Sequence, residues 1–278
     1  MTAVVDAPPV ATNVASSGLT PAVAALRLRL GLAITLFALA AVGWWWTAGE
    51  MRGMDMGPWT GLGGLGWFVG VWLVMMAAMM LPSVAPTVAL YARMTRQRSP
   101  ISPLAFTTGY LLVWTAAGVA AFALAAGASA LAGDTLAWDR AGKDLAAATL
   151  VAAAVYELTP LKNACLGKCR SPLGFLLGSW RDGARGAVSM GARLGLWCLG
   201  CCLALMASLF ALGVMSITWM AIVAGIIAVE KALPWRRVAT YGVAAALLVV
   251  GLLLWTSPSS VPGLTVPAES TSMTPDGM

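Results

Sequence analysis

Three of the chain's five cysteines lie close together in the segment SMGARLGLWCLGCCLALMASLF. Cys198, Cys201 and Cys202 have the spacing i, i+3 and i+4, which places their thiols on one face of a helix, and Met206 follows one turn later. Thiolates and thioethers are soft ligands that suit Cu(I). Cysteine is also a small apolar residue, and the nearby Gly191 is typical of closely packed helices. Three thiols within five residues favour a metal-ligand role over packing alone.

A second sulfur-rich stretch, WFVGVWLVMMAAMMLPSVAPTVAL, carries four methionines within an arc of about 140° of a helix. A helix rises by about 1.5 Å per residue, and counting from the end of each span places Met76, Met79 and Met80 at about the depth of the three cysteines. That depth is near the middle of a bilayer core about 30 Å thick. The two stretches therefore predict one soft-metal site near the membrane midplane if their faces meet. Packing alone, with flexible thioethers filling gaps, is the alternative for these methionines.

Two smaller sulfur motifs flank these segments. Cys165 and Cys169 in CLGKC lie among basic residues that favour thiolates, and the pair is predicted to bind Cu(I) or to cycle as a dithiol. The loop EMRGMDMG holds Met51, Met54 and Met56, which we interpret as an accessory motif that captures Cu(I) weakly outside the membrane. A loop whose methionines bind nothing is the alternative.

Polar groups inside the apolar stretches are the remaining candidates. Glu157 lies within an apolar run, where a carboxylate is expected to be functional. For Glu230 we favour an ion pair at the membrane interface with Lys162 or Lys231. Two prolines in the methionine stretch, at 82 and 86, are predicted to kink its helix, and such broken spans often line ion sites.

The elements that must position these residues are membrane helices. The chain is 60% hydrophobic and 10% charged, with a mean hydropathy of +0.84, which places it outside the soluble range. The sequence predicts an all-α, polytopic membrane helix bundle of about seven transmembrane helices. Their approximate ranges are 30–46, 67–90, 104–131, 144–161, 190–214, 217–233 and 238–256.

Lysine and arginine alternate between the connecting segments, which places the N-terminus inside and the C-terminus outside. The predicted organisation is a disordered cytoplasmic tail at 1–25, a transmembrane domain at 26–256 and a disordered external tail at 257–278. A cleaved signal peptide is the alternative for the first span, but we favour an uncleaved anchor because the apolar run continues into Trp44-Trp45-Trp46, which suits an interfacial aromatic belt. The expected location is a bacterial inner membrane, with the lipid bilayer as a partner.

The composition excludes several kinds of site. The chain has no histidine, which removes bis-histidine haem, most zinc sites and a Ser-His-Asp triad. The net charge of +6 is spread between apolar runs, so nucleic acid is not an expected partner.

Three segments together resemble a family of bacterial integral membrane proteins predicted to bind metal. They are AMMLPSVAP, YELTPLKNACLGKCRSPLGFLL and WRDGARGAVSMGARLGLWCLGCCLALM, and the resemblance covers roughly residues 65–235. It implies a metal-binding membrane protein whose characteristic segments hold Met79, Met80, Pro82, Glu157, Cys165, Cys169, Cys198, Cys201 and Cys202.

The sequence thus predicts a membrane protein that binds Cu(I) through methionine and cysteine and moves it across the membrane or passes it to a copper-accepting partner protein. Two other functions stay open. One is a thiol-disulfide or quinone-linked oxidoreductase that uses Cys165 and Cys169. The other is a structural or assembly subunit without metal.

Overall fold

The described part of the chain is helical throughout. The computed structural model describes residues 64–96, 101–132, 141–212, 217–232 and 236–257, together with 38, 41–46 and 49. After a short helical stretch at 41–46, it contains α1 (Leu65–Thr95), α2 (Ser102–Ala132), α3 (Lys143–Glu157), α4 (Pro160–Cys169), α5 (Pro172–Ser179), α6 (Gly183–Leu212), α7 (Ile217–Ala232) and α8 (Arg236–Thr256). The prediction of an all-α fold is confirmed for this part of the chain.

Among the residues that the structure describes, four helices are long and apolar enough to cross a membrane. They are α1, α2, α6 and α8, and the bent pair α3 and α4 makes a fifth if it counts as one span. Of the predicted span at 30–46, residues 38 and 41–46 are described and the others are not. The predicted tails at 1–25 and 257–278 lie outside the described residues except for Ser257. The seven-span count and the orientation of the termini therefore stay predictions.

The continuous span predicted at 144–161 is broken. Residues 158 and 159 separate α3 from α4, and the two helix axes differ by 68°. Pro160 explains the break, because it lacks an N–H donor and pushes the preceding residue into an extended conformation. Thr159 is extended (φ −72°, ψ 149°), and its side chain caps α4 by accepting from the Lys162 N–H at 3.4 Å. Because of this bend, α4 and its last residue, Cys169, do not continue along the axis of α3.

The prolines of α1 do not end that helix. Pro82 and Pro86 both lie inside the 31-residue α1. The Ser83 hydroxyl donates to the Met80 carbonyl at 2.7 Å and so satisfies one backbone acceptor near the first proline. The kink predicted at these prolines stays a prediction, and the break found in the described residues lies between α3 and α4.

Helix α6 is central to the bundle and packs against α2, α3, α4 and α7, while α1 packs mainly against α2. The α2–α6 contact is made by backbones. A Cβ on Gly109 would lie 2.1 Å from the Val188 carbonyl oxygen, and one on Gly191 would lie 1.8 Å from that of Phe106. Only glycine permits this approach, which fixes the depth and rotation of α6.

Candidate metal centre

Three cysteines from two helices form a cluster of sulfur atoms. The Sγ atoms of Cys169 from α4 and of Cys198 and Cys201 from α6 all lie within 4.8 Å of one another. The distance from Cys201 Sγ to Cys169 Sγ, which spans the two helices, is 3.8 Å. We call these three residues the cysteine triad. A fourth sulfur, that of Cys202, lies 3.5 Å from Cys201 Sγ.

The local sequence explains how the triad assembles. The i, i+3 spacing of Cys198 and Cys201 keeps both thiols on one face of α6. Helix α4 lies close to this face because Gly200 has no side chain: a Cβ there would be 2.8 Å from Cys165 Sγ. The Tyr156 hydroxyl donates to the Gly200 carbonyl at 2.7 Å and ties the end of α3 to the same turn. These contacts place Cys169, at the end of α4, next to the α6 thiols.

The triad has the dimensions of a metal site. A metal at about 2.3 Å from each of three sulfurs, the usual length of a zinc–thiolate bond, is surrounded by a triangle with sides of about 4 Å. The sulfurs of the triad lie 3.8 Å apart at one edge and within 4.8 Å at the others. All five cysteines of the chain are free thiols, so the three are available as ligands.

Two donors converge on Cys198. The Tyr110 hydroxyl of α2 donates to its Sγ at 3.1 Å, and the Lys231 ammonium of α7 donates to it at 3.2 Å. Lys231 also donates to the Ser83 hydroxyl of α1 at 3.1 Å, so it links α1 to the triad. A cation and a hydroxyl beside this sulfur stabilise a thiolate, which is the form that binds metal.

The chain matches one family model over residues 69–254, which is more than half of its length, and the model is described as "PpoB2: Copper chaperone". The chain belongs to this copper chaperone family. No curated protein and no solved structure matches it. The expectation of a metal-binding family is therefore confirmed, and the cysteine triad is the cluster in the described residues that suits the metal of this chaperone family.

The other cysteines and methionines predicted as metal ligands lie outside the triad. Cys165 is buried against Gly200, outside the triad, so the CLGKC pair is divided between two environments. The thioether residues Met76, Met79, Met80 and Met206 are buried in the same hydrophobic core as the α6 cysteines. The outer motif of Met51, Met54 and Met56 lies outside the described residues.

Glu157 belongs to a buried ion cluster. The Lys162 ammonium of α4 is bonded to Glu157 at the end of α3 and to both oxygens of Glu230 of α7, at 2.7 and 2.8 Å. The three residues are 0 to 4% exposed. The ion pair predicted for Glu230 is confirmed with Lys162, one of its two predicted partners, and it is buried, while Lys231 faces the triad. Its predicted place at the membrane interface stays a prediction. We call this cluster the Lys162 ion cluster.

Sequence reasoning missed two residues that contact the triad, Tyr110 and Lys231. A signal existed for Tyr110, because a hydroxyl in an apolar span needs a hydrogen-bond partner. For Lys231 the signal was misleading, since its neighbour Glu230 suggested a local pair. Consecutive residues on a helix point about 100° apart and do not face each other.

Proposed function

We propose that this protein is a membrane-embedded copper chaperone that binds Cu(I) between Cys169, Cys198 and Cys201 and passes it to a partner protein. The observation that carries the proposal is the triad itself: three thiols from two helices, at metal-binding distances, in a chain of a copper chaperone family. Three soft sulfurs and a chain without histidine favour Cu(I) over harder or nitrogen-preferring ions.

The proposed location is a bacterial inner membrane, with the N-terminus inside, the C-terminus outside and about seven spans. Membrane insertion is supported by four long apolar helices in the described residues, by one bent helix pair that could form a fifth span, and by a mean hydropathy of +0.84. The alternation of basic residues along the sequence supports the orientation. The helix bundle supplies low-dielectric surroundings for the two buried thiols of the site, Cys198 and Cys201.

A nearby cation balances part of the charge of the proposed site. Three thiolates and one Cu(I) ion carry a net charge of two negative units, and the Lys231 ammonium at 3.2 Å from Cys198 Sγ offsets one of them. Copper binding replaces thiol protons, so its affinity is linked to pH. The metal is cargo, and its oxidation state does not change during binding.

We extend the proposal to the methionines. Met76, Met79, Met80 and Met206 would offer weaker sulfur ligands to copper on its way to or from the thiolates, and Met51, Met54 and Met56 would capture it outside. Burial of the first four in the core that contains the α6 cysteines supports this role. Replacing Met80 by leucine, which keeps the volume, tests it through the rate of copper loading.

Metal analysis of protein purified without oxygen tests the function. We expect copper in equimolar amount in the wild type, and its loss in the double variant Cys198→Ser, Cys201→Ser. Cys165→Ser is the matched control, because this cysteine is buried nearby but lies outside the triad, and it should keep the metal. Equal copper content in all three proteins, or none in the wild type, would refute the proposal. Thiol-disulfide cycling in copper-free protein would favour the oxidoreductase.

A further inference from the structure

The three ligands of the triad differ in exposure. Cys198 and Cys201 are 1% and 2% exposed, in the middle of the 30-residue α6, whereas Cys169 is partly exposed. A ligand that approaches the site from outside the bundle therefore meets the Cys169 side first. The α6 sulfurs lie behind it.

The surroundings of Cys169 are polar. It is the last residue of α4, and it lies between the exposed Lys168 and the partly buried Arg170. A lysine ammonium is costly to place in hydrocarbon, so this end of α4 faces water or lipid headgroups. Positive charge at this end also favours the approach of an anionic ligand such as a thiolate.

The two helices that supply the triad differ in length and anchoring. Helix α6 is fixed by backbone contacts with α2 at Gly109 and Gly191. Helix α4 has ten residues and begins at the 68° bend. It packs on α6 beside Gly200 and is attached to α7 through Lys162, but these contacts lie at Cys165 and Lys162, one and two turns before Cys169. Cys169 is therefore the ligand that can leave with the least disturbance of the bundle. Its departure leaves Cu(I) on two thiolates of one rigid helix, a coordination number that Cu(I) accepts.

We propose, on the basis of the proposed function, that Cys169 is the exchange ligand, which leaves copper so that an incoming thiolate of the acceptor can bind. The acceptor thiol releases its proton to water, its sulfur forms a bond to Cu(I), and the bond from copper to Cys169 Sγ breaks. The Cys169 thiolate then takes a proton from water. Copper stays Cu(I) throughout, no electron is transferred, and the α6 thiolates hold the metal until further acceptor sulfurs replace them.

The test compares equilibrium binding with the rate of transfer in full-length protein loaded with Cu(I), with glutathione as the acceptor. Cys169→Ser should keep its copper, because the α6 pair remains, and should lose it to glutathione about tenfold faster, equivalent to about 1.4 kcal/mol of activation free energy. The control Cys165→Ser should match the wild type in both measurements. Loss of copper from Cys169→Ser, as from the α6 double variant, or an unchanged transfer rate would overturn the proposal.

A second measurement does not depend on the variants. Iodoacetamide treatment of copper-free protein, followed by mass spectrometry, should modify Cys169 before Cys198 and Cys201, and Cu(I) loading should protect it. Modification of an α6 cysteine first would overturn the proposal. A wild-type protein that binds no copper would refute the proposed function instead, so the two failures are distinguishable.

Discussion

Replacing Lys231 by methionine removes the cation beside the proposed copper site with little change in side-chain volume. The ammonium lies 3.2 Å from Cys198 Sγ, and for unit charges at this distance an effective dielectric constant of about 20 gives about 5 kcal/mol. Lys231 is partly exposed, and copper withdraws charge from the sulfur, so we expect about half of this energy. A loss of about 2.5 kcal/mol weakens the Cu(I) dissociation constant by roughly 60-fold.

A competition titration against a Cu(I) chelator of known affinity, without oxygen, measures this change. Ser83 keeps its bond to the Met80 carbonyl, so the substitution leaves that hydroxyl with a partner. Lys231→Arg keeps the charge and should retain most of the affinity. Lys143→Met, at the opposite end of α3 from Glu157, is the charge-matched control and should bind as the wild type does. An affinity of Lys231→Met equal to that of this control would refute the electrostatic role.

Three further outcomes are expected. Gly109→Ala should lower the melting temperature by several degrees, because its Cβ would lie 2.1 Å from a backbone oxygen and overpacking costs about 1–3 kcal/mol. The control Gly70→Ala should not lower it, since a Cβ at Gly70 has no neighbour within 4 Å. Lys162→Met should destabilise the fold by about 3–5 kcal/mol in thermal unfolding, because it leaves two buried carboxylates without their cation. Lys168 is exposed, so the control Lys168→Met should leave the stability unchanged. Copper affinity, measured by chelator competition, should fall as the pH is lowered, because protons compete with the metal for the thiolates.

The opposite result in each of these three experiments would contradict the corresponding structural argument. Equal melting temperatures for the two glycine variants would mean that α2 and α6 are not in backbone contact. A stable Lys162→Met protein would mean that the Lys162 ion cluster does not hold α4 to α7. Copper affinity independent of pH would exclude thiolate ligands.

The α6 half of the site was predictable from the sequence because it is local. The spacing of Cys198 and Cys201 sets a shared face wherever the helix lies, and the sequence predicted both as candidate metal ligands. Cys169 was also named, but as half of a separate pair with Cys165. Its actual partners depend on the bend at Thr159 and Pro160, which no helical periodicity encodes.

The other polar contacts arise from tertiary packing. Lys162 reaches Glu230 across 68 positions of sequence, and Lys231 reaches Cys198 across 33. Such partners follow from which helices are neighbours and how each is rotated, and hydrophobic patterns in nearly uniform apolar spans carry little of that information. The dipeptide Thr159-Pro160 was the one local signal for the break, since proline disfavours helix in the residue before it.

The coordination of copper in the loaded protein tests the central claim most directly. X-ray absorption spectroscopy at the copper edge counts the neighbouring atoms and distinguishes sulfur from oxygen and nitrogen. The triad predicts Cu(I) with three sulfur neighbours in the wild type and in Cys165→Ser, and with two in Cys169→Ser. Coordination by oxygen or nitrogen alone, or a sulfur count that neither Cys169→Ser nor Cys201→Ser changes, would contradict a copper site formed by Cys169, Cys198 and Cys201.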